Sequence, residues 1–177
     1  MLASSAIFAG LAFFNRFDLI PLAFTVSAIM AFMWVLFRGR QPYIANVATT
    51  LLGFVYCGWF PLHLLFLRNM GGDIEGWLIP SPLGAGYCVL ILFAVLVTDT
   101  FCYIVGCRWG KNKLSPVISP NKTIEGSLGG TAMCMVFSLG IGLAIGLPWY
   151  HAMILGVLIA IFAQIGDLCE SMIKRDA

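Results

Sequence analysis

Charge is scarce in this sequence: Asp, Glu, Lys and Arg make up 10% of its 177 residues, against about 25% in a typical soluble domain. Hydrophobic residues make up 60%, and the mean hydropathy is +0.95. So few charges cannot cover a globule with polar surface, which makes the lipid bilayer the natural solvent for this chain. The net charge of +2, without any run of five like charges, argues against nucleic-acid binding.

The sequence also lacks the residue spacing of a zinc site. None of its six cysteines forms a C-x-x-C pair, and most lie in apolar runs, where a free thiol acts as a small hydrophobic side chain. The two histidines, His63 and His151, are isolated, so we expect them to be structural or interfacial rather than metal ligands.

Six apolar segments are present, and a membrane-spanning helix needs about 20 mostly apolar residues. They are Leu2–Phe14, Leu19–Phe37, Ile44–Leu67, Leu83–Gly106, Gly126–Leu147 and Trp149–Gly166. The first segment is short for a span. No basic residue precedes it, which favours a membrane helix over a signal peptide. The sequence therefore predicts an all-α, polytopic integral membrane protein with about six transmembrane helices, and residues 1–177 are expected to form a single membrane-embedded domain.

Basic residues are distributed unequally between the alternate loops of this topology. Eight of the ten lie in the second-to-third loop, the fourth-to-fifth loop and the C-terminal tail: Arg38, Arg40, Arg108, Lys111, Lys113, Lys122, Lys174 and Arg175. The other loops carry only Arg16 and Arg68. Because basic loops are retained on the cytoplasmic side, we expect these three segments to face the cytoplasm or the equivalent compartment of an organelle.

Asp99 is an acid inside the fourth apolar segment. An ionisable residue is costly within a membrane helix, so it is a candidate functional residue. At 1.5 Å per residue it lies about 13 Å from Arg108, in the cytoplasmic half of the segment. The alternative is a structural hydrogen bond to a neighbouring helix.

The basic stretch after the fourth segment contains two prolines and leads directly into the fifth segment. Pro116 and Pro120 keep it extended or turned, and Asn121 or Thr123 can cap the helix that follows. Unpaired N–H groups at that helix N-terminus, with Lys122 beside them, would suit a phosphate. An ordinary basic loop before a well-capped helix would have the same features.

Four polar residues near the C-terminus follow one another at i, i+3, i+4 and i+7: Asp167, Glu170, Ser171 and Lys174. This spacing places them on one helical face. The two carboxylates could hold a hydrated Mg²⁺, and the lysine could meet phosphate oxygens. A solvated helix end with i,i+4 pairs is the alternative. With the basic stretch and Asp99 on the same side of the membrane, the pattern indicates a metal–phosphate site at the lipid boundary.

Four pieces of the sequence resemble phosphatidate cytidylyltransferases, also called CDP-diacylglycerol synthases. They are D-T-F-C-Y from Asp99, S-P-N-K-T-I-E-G from Ser119, G-D-L-C-E-S from Gly166 and S-M-I-K-R from Ser171. The likeness covers roughly the second half of the chain. It implies transfer of CMP from CTP to phosphatidic acid, which gives CDP-diacylglycerol and pyrophosphate for phospholipid biosynthesis.

The resemblance also implies roles for individual residues. The catalytic set would be Asp167, Ser171 and Lys174, and the cofactor Mg²⁺ would be held by Asp167 and Glu170. The substrate-binding residues that it implies are Asp99, Asn121, Lys122, Thr123, Glu125 and Arg175. The site would lie on the cytoplasmic or stromal side of a bacterial inner membrane or a plastid membrane.

The chain departs from the family signature at its end. That signature continues into an H-G-G-x-x-D-R segment with a metal-binding aspartate, whereas this chain stops at Ala177. We therefore expect it to be incomplete at its C-terminus and catalytically incomplete by itself, and the short first segment leaves the N-terminus open as well. Glycines spaced at i, i+4 on the fifth segment favour close helix packing and leave a homodimer open.

Two other functions fit the same residues. A CTP-dependent lipid-alcohol kinase of the polyprenol or dolichol type would share the membrane setting and the nucleotide. A non-enzymatic membrane transporter or assembly subunit would use Asp99 in an ion path. Transporter sites lie near the bilayer midplane, whereas the acids here favour the cytoplasmic side.

Overall fold

The computed structural model describes residues 2–14, 16–38, 41–74 and 81–176, so Arg40 and Ala177 of the predicted basic loops and C-terminal end lie outside the described residues. Its contacts divide the chain into two compact units, Met1–Met70 and Gly71–Ala177. Strands in the described residues are limited to two short hairpins, and helices make up most of the rest, as the sequence predicts. The single membrane-embedded domain stays a prediction.

The described elements of the first unit are all helical. Its elements are α1 (Leu2–Phe13), a 3₁₀ turn (Phe17–Leu19), α2 (Ile20–Arg38), α3 (Tyr43–Phe54), a π-helical segment (Val55–Trp59) and α4 (Phe60–Arg68). Phe8, Phe54 and Leu62 are buried at its centre, with Phe24 and Trp59 packed against them. The ring centroids of Phe24 and Trp59 lie 4.8 Å apart, so aromatic contacts hold these helices together.

Pro61 explains why a π-helical segment separates α3 from α4. Proline has no N–H, and its ring clashes with the carbonyl group four residues earlier, here that of Cys57. The N–H of Phe60 bonds to the carbonyl oxygen of Val55, five residues back, as in a π-helix. Residues 43–68 therefore continue as one apolar rod of 26 residues rather than breaking at the proline.

The second unit contains three long helices and both hairpins. Its elements are β1 (Asp73–Ile74), β2 (Ser81–Pro82), α5 (Leu83–Trp109), β3 (Lys113–Ser115), β4 (Ser119–Thr123), α6 (Ile124–Ala144) and α7 (Trp149–Asp176). β1 pairs with β2 and β3 with β4, both antiparallel. Buried Leu90, Ala94 and Cys134 pack where α5, α6 and α7 meet.

Glycines let α5 and α6 approach each other closely. A Cβ atom on Gly126 would lie 2.6 Å from the carbonyl oxygen of Cys102, and one on Gly130 would lie 2.9 Å from that of Thr98. Such distances leave no room for a side chain, so the predicted close helix packing is confirmed. Because these glycines face α5 of the same chain, their surface is already used, and the homodimer stays a prediction.

The membrane fold predicted from the sequence is confirmed, with changes at the helix ends. Five described helices are long and apolar enough to cross a membrane: 20–38, 43–68, 83–109, 124–144 and 149–175. The predicted first span forms the 12-residue helix α1, shorter than a bilayer crossing requires. The last helix continues to Asp176, beyond the apolar segment that ends at Gly166, and so contains the four polar residues that their spacing placed on one helical face.

Candidate active site

A cleft of about 620 Å³ opens in the second unit between α5, the β3–β4 hairpin, α6 and α7. This volume is typical of small-molecule sites, which range over about 300–1,000 Å³. Its lining residues are Asp99, Cys102, Tyr103, Gly106, Cys107, Gly110, Lys113, Leu114, Ser119, Asn121, Lys122, Thr123, Ser127, Gln164, Asp167 and Ser171. The lining thus combines carboxylates, ammonium groups and hydroxyls on one unit of the fold.

The ion pair between Lys122 and Asp167 joins the hairpin to α7 in this cleft. The Lys122 side chain is 24% exposed and that of Asp167 is 47% exposed. The ammonium nitrogen itself is buried and makes no hydrogen bond of good geometry among the described residues. An ammonium group carries three donors, so Lys122 retains hydrogen-bonding capacity for a further oxygen ligand.

Asp99 lines the same cleft from α5. It lies near enough to Lys122 and Asp167 for both of their charges to act on it. No hydrogen bond joins it to a neighbouring helix within the described part of the chain, so the structural alternative for this residue has no contact in its favour. The intramembrane acid predicted as functional therefore belongs to the same polar cluster as the predicted lysine.

A side-chain amide holds α6 and α7 together at the wall of the cleft. The hydroxyl of Ser127 donates to Oε1 of Gln164. Nε2 of Gln164 donates to the carbonyl oxygen of Ser127 at 3.3 Å and to Oγ1 of Thr131 at 3.1 Å. Gln164 lies three residues before Asp167, so these bonds set the position of the helical turn that carries the carboxylate.

Thr123 begins α6 as its N-cap. Its Oγ1 accepts a hydrogen bond from the N–H of Gly126 at 3.1 Å, which is the capping role predicted for Asn121 or Thr123. The N–H of Ile124 donates to the carbonyl oxygen of Asn112 at 3.0 Å. Because two of the first N–H groups of α6 already have partners, the predicted phosphate site on this helix N-terminus is not favoured, and the cleft offers side chains instead.

Glu125 faces the backbone that precedes the hairpin. Its carboxylate accepts hydrogen bonds from the N–H groups of Lys111 and Asn112, at 3.1 and 3.2 Å. The side-chain amide of Asn112 donates to it at 2.8 Å. Glu125 is not among the residues that line the cleft.

The predicted polar face of α7 divides into two parts. Asp167 and Ser171 line the cleft, whereas Glu170 pairs with Lys174 at 2.5 Å, an i,i+4 contact along the helix surface. Arg175 donates to the carbonyl oxygen of Val117 at the turn of the hairpin. Of the predicted site residues, the structure brings together Asp99, Asn121, Lys122, Thr123, Asp167 and Ser171, and leaves Glu125, Glu170, Lys174 and Arg175 outside the cleft lining.

The carboxylates available to a metal ion are few. No group of three or more His, Cys, Asp or Glu residues suited to a metal ion occurs in the described residues. Mg²⁺ is usually bound by one or two carboxylates and completed by water and substrate phosphates. Asp99 and Asp167 supply that number in the cleft, whereas Glu170, the second predicted ligand, lies outside its lining, and Mg²⁺ itself stays a prediction.

Several cleft residues were not singled out by the sequence analysis. Gln164 and Ser127 are polar residues within apolar helices, and polarity inside a membrane helix is a usable signal. Lys113 and Ser119 lie in the basic stretch, but nothing in their spacing indicates that the chain folds back there as a hairpin. Tyr103 has no such signal, because an aromatic residue near a helix end also fits an interfacial position.

Comparison with known families gives a match along the whole chain. The family model described as the cytidylyltransferase family matches residues 1–177. The matched range thus includes both the unit that carries the cleft, Gly71–Ala177, and the first helical unit, Met1–Met70.

Individual relatives show the same likeness. A phosphatidate cytidylyltransferase of Synechocystis sp. is 34% identical over 174 residues, which cover 87% of this chain and 58% of that protein. Phosphatidate cytidylyltransferase 5, chloroplastic, of Arabidopsis thaliana is 32% identical over 181 residues, with 91% and 44% covered. A phosphatidate cytidylyltransferase of Bacillus subtilis is 36% identical over 126 residues, with 70% and 43% covered. The chain thus spans about half the length of these relatives.

Proposed function

Because this chain belongs to the cytidylyltransferase family, we propose that its cleft takes part in transferring CMP from CTP to phosphatidate, which gives CDP-diacylglycerol and pyrophosphate. The observation that carries the proposal is the pairing of Lys122 with Asp167 beside Asp99. A buried ammonium group next to two carboxylates combines a phosphate ligand with ligands for a divalent cation. Relatives named phosphatidate cytidylyltransferase support the same reaction.

The reaction needs no covalent enzyme intermediate. A phosphate oxygen of phosphatidate attacks the α-phosphorus of CTP, and the bond from that phosphorus to the oxygen bridging to the β-phosphorus breaks. The electron pair of that bond leaves with pyrophosphate. Catalysis of this kind depends on in-line positioning and on neutralising charge on the phosphate oxygens.

The residues of the cleft divide these tasks between them. Lys122 neutralises phosphate charge, and Ser171 and Asn121 donate hydrogen bonds to phosphate oxygens. Thr123 keeps its place as the cap of α6 and so orients the neighbouring Lys122. Asp167 and Asp99 would hold Mg²⁺, which supplies further charge neutralisation at the phosphates when bound.

The remaining predicted residues act outside the cleft. Lys174, whose side chain is 73% exposed, and Arg175 add positive charge near the end of α7. Such charge favours the approach of anionic substrates through long-range attraction. We propose that the site lies on the cytoplasmic or stromal face of a bacterial inner membrane or a plastid membrane, where CTP would arrive from water and phosphatidate from the leaflet.

Isotope position tests the reaction directly. The purified gene product in lipid nanodiscs is given phosphatidate and CTP labelled at either the α- or the γ-phosphorus. The proposal requires the α-label to enter the chloroform-soluble product and the γ-label to leave as pyrophosphate. Transfer of the γ-label to a lipid alcohol would establish the kinase instead. The metal is tested separately: a chelator of divalent cations should stop the transfer, and added Mg²⁺ should restore it.

A further inference from the structure

The β3–β4 hairpin supplies six of the residues that line the cleft, including Lys113, Asn121 and Lys122. An isolated two-stranded hairpin is at best marginally stable in water. The pairing is also irregular, because the register shifts between Lys113 and Ser115. Contacts from outside the hairpin must therefore fix the position of Lys122.

The base of the hairpin is closed by contacts between residue 112 and the first turn of α6. The N–H group and the side-chain amide of Asn112 donate to the carboxylate of Glu125, and its carbonyl oxygen accepts from the N–H of Ile124. The N–H of Lys111 adds another bond to Glu125. One carboxylate thus ties the strand that enters the hairpin to the helix that leaves it.

We propose that Glu125 is a positioning residue that holds Lys122 at the substrate phosphates through the backbone of the hairpin. This inference rests on the proposed function for the identity of the substrate. Glu125 lies outside the cleft lining and already accepts bonds from Lys111 and Asn112, so it acts through Lys122, three residues earlier, rather than on the substrate. A negative charge in the first turn of α6 also complements the helix dipole.

Glu125→Gln is a specific test because it replaces the carboxylate with an amide of nearly the same size and shape. The amide NH₂ group would face the N–H groups of Lys111 and Asn112, so a donor would replace an acceptor. Glu125→Asp keeps the charge on a side chain one methylene shorter and should recover part of the function. Asp18→Asn is the matched control, because Asp18 is an exposed acid paired only with Arg16 among the described residues.

Steady-state kinetics with CTP separates positioning from general stability. We expect Glu125→Gln to raise the KM for CTP about tenfold, the effect of losing a hydrogen bond to a charged group, while kcat changes little. A purely structural role would lower the amount of active protein, and so the apparent kcat, at unchanged KM. In a Lys122→Met background, Glu125→Gln should add no further effect, since both changes remove the same contact. Additive effects would overturn the proposal.

Hydrogen exchange tests the clamp without any turnover. The amides of Lys111 and Asn112 should exchange faster in Glu125→Gln than in the wild type or Asp18→Asn. If the wild type showed no CTP turnover, the proposed function would fail while this measurement still decided whether Glu125 holds the hairpin. Unchanged exchange at both amides would refute the clamp, whatever the activity.

Discussion

The ammonium group of Lys122 on β4 pairs with the carboxylate of Asp167 on α7, and this pair connects two of the elements that line the cleft. A carboxylate uses the same two oxygen atoms whether it binds a lysine or Mg²⁺. On the proposed function, a metal–nucleotide complex would therefore compete for both partners, with phosphate taking the lysine and the metal ion taking the aspartate.

Asp167→Asn should abolish CMP transfer while the protein still inserts in the membrane. The amide keeps the shape of the side chain but loses the charge that Lys122 and the metal ion require, so we expect kcat to fall by at least about 100-fold. Transfer of α-labelled CTP measures the loss, and extraction of membranes with carbonate checks insertion. Near-normal turnover in this variant would remove Asp167 from the metal site.

The same pair predicts a coupling in stability. Asp167→Asn leaves the buried ammonium of Lys122 without its partner. Losing one member of a fully buried pair costs about 3–5 kcal/mol, and since Asp167 is half-exposed we expect roughly 1–2 kcal/mol here.

The double variant Lys122→Met, Asp167→Asn removes the unpaired charge, so its free energy of unfolding should recover toward that of the wild type. Thermal unfolding in detergent measures all three variants. A double variant less stable than both single variants would show that the pair is not the source of the cost.

Gln164→Leu should weaken the contact between α6 and α7. Leucine cannot replace the three hydrogen bonds to Ser127 and Thr131, and such bonds between membrane helices contribute about 1 kcal/mol. Titration with a denaturing detergent measures the change. Ser127→Ala should cost less in the Gln164→Leu background than alone, because its bond to Gln164 is already lost there, and fully additive losses would contradict the shared network.

Two glycines on α6 should respond to alanine in opposite directions. A Cβ atom at Gly130 would lie 2.9 Å from the carbonyl oxygen of Thr98, and overpacking of this kind costs about 1–3 kcal/mol. At Gly140 no atom lies within 4 Å of the new Cβ, so alanine gains helix propensity of up to about 1 kcal/mol. Melting temperatures of the two variants check the sign, and equal shifts would mean that α5 and α6 are not packed as described.

Hydropathy and charge were sufficient to predict the helices and the meeting of Asp99, Lys122 and Asp167. Long apolar runs must become helices in a bilayer. In a small bundle of such helices, polar residues at the same membrane depth lie close to one another. The spacing from Asp167 to Lys174 was also sufficient to predict that the last helix continues beyond its apolar segment. The bond from Arg175 to the carbonyl oxygen of Val117 could not be predicted, because it depends on where the hairpin turn lies.

The proposed role of Glu125 could not be predicted from the sequence either. Its position in the first turn of α6, three residues after Lys122, fits a substrate ligand as well as a backbone clamp, and only the fold-back of the hairpin brings Asn112 to it. The same fold-back uses the N–H of Ile124, which removes a donor that the sequence assigned to phosphate. Both differences come from hydrogen bonds between residues more than ten positions apart.

The distance along the chain between Lys122 and Asp167 has a consequence for biogenesis. During synthesis from the N-terminus, the hairpin leaves the ribosome well before α7, so Lys122 cannot yet pair with Asp167 while α5 and α6 insert. Positive charge beside a helix favours retention of the loop on the side of its synthesis. On the predicted topology, Lys122 would therefore first add to the orienting charge of its loop and, once α7 has inserted, pair with Asp167 to complete the cleft.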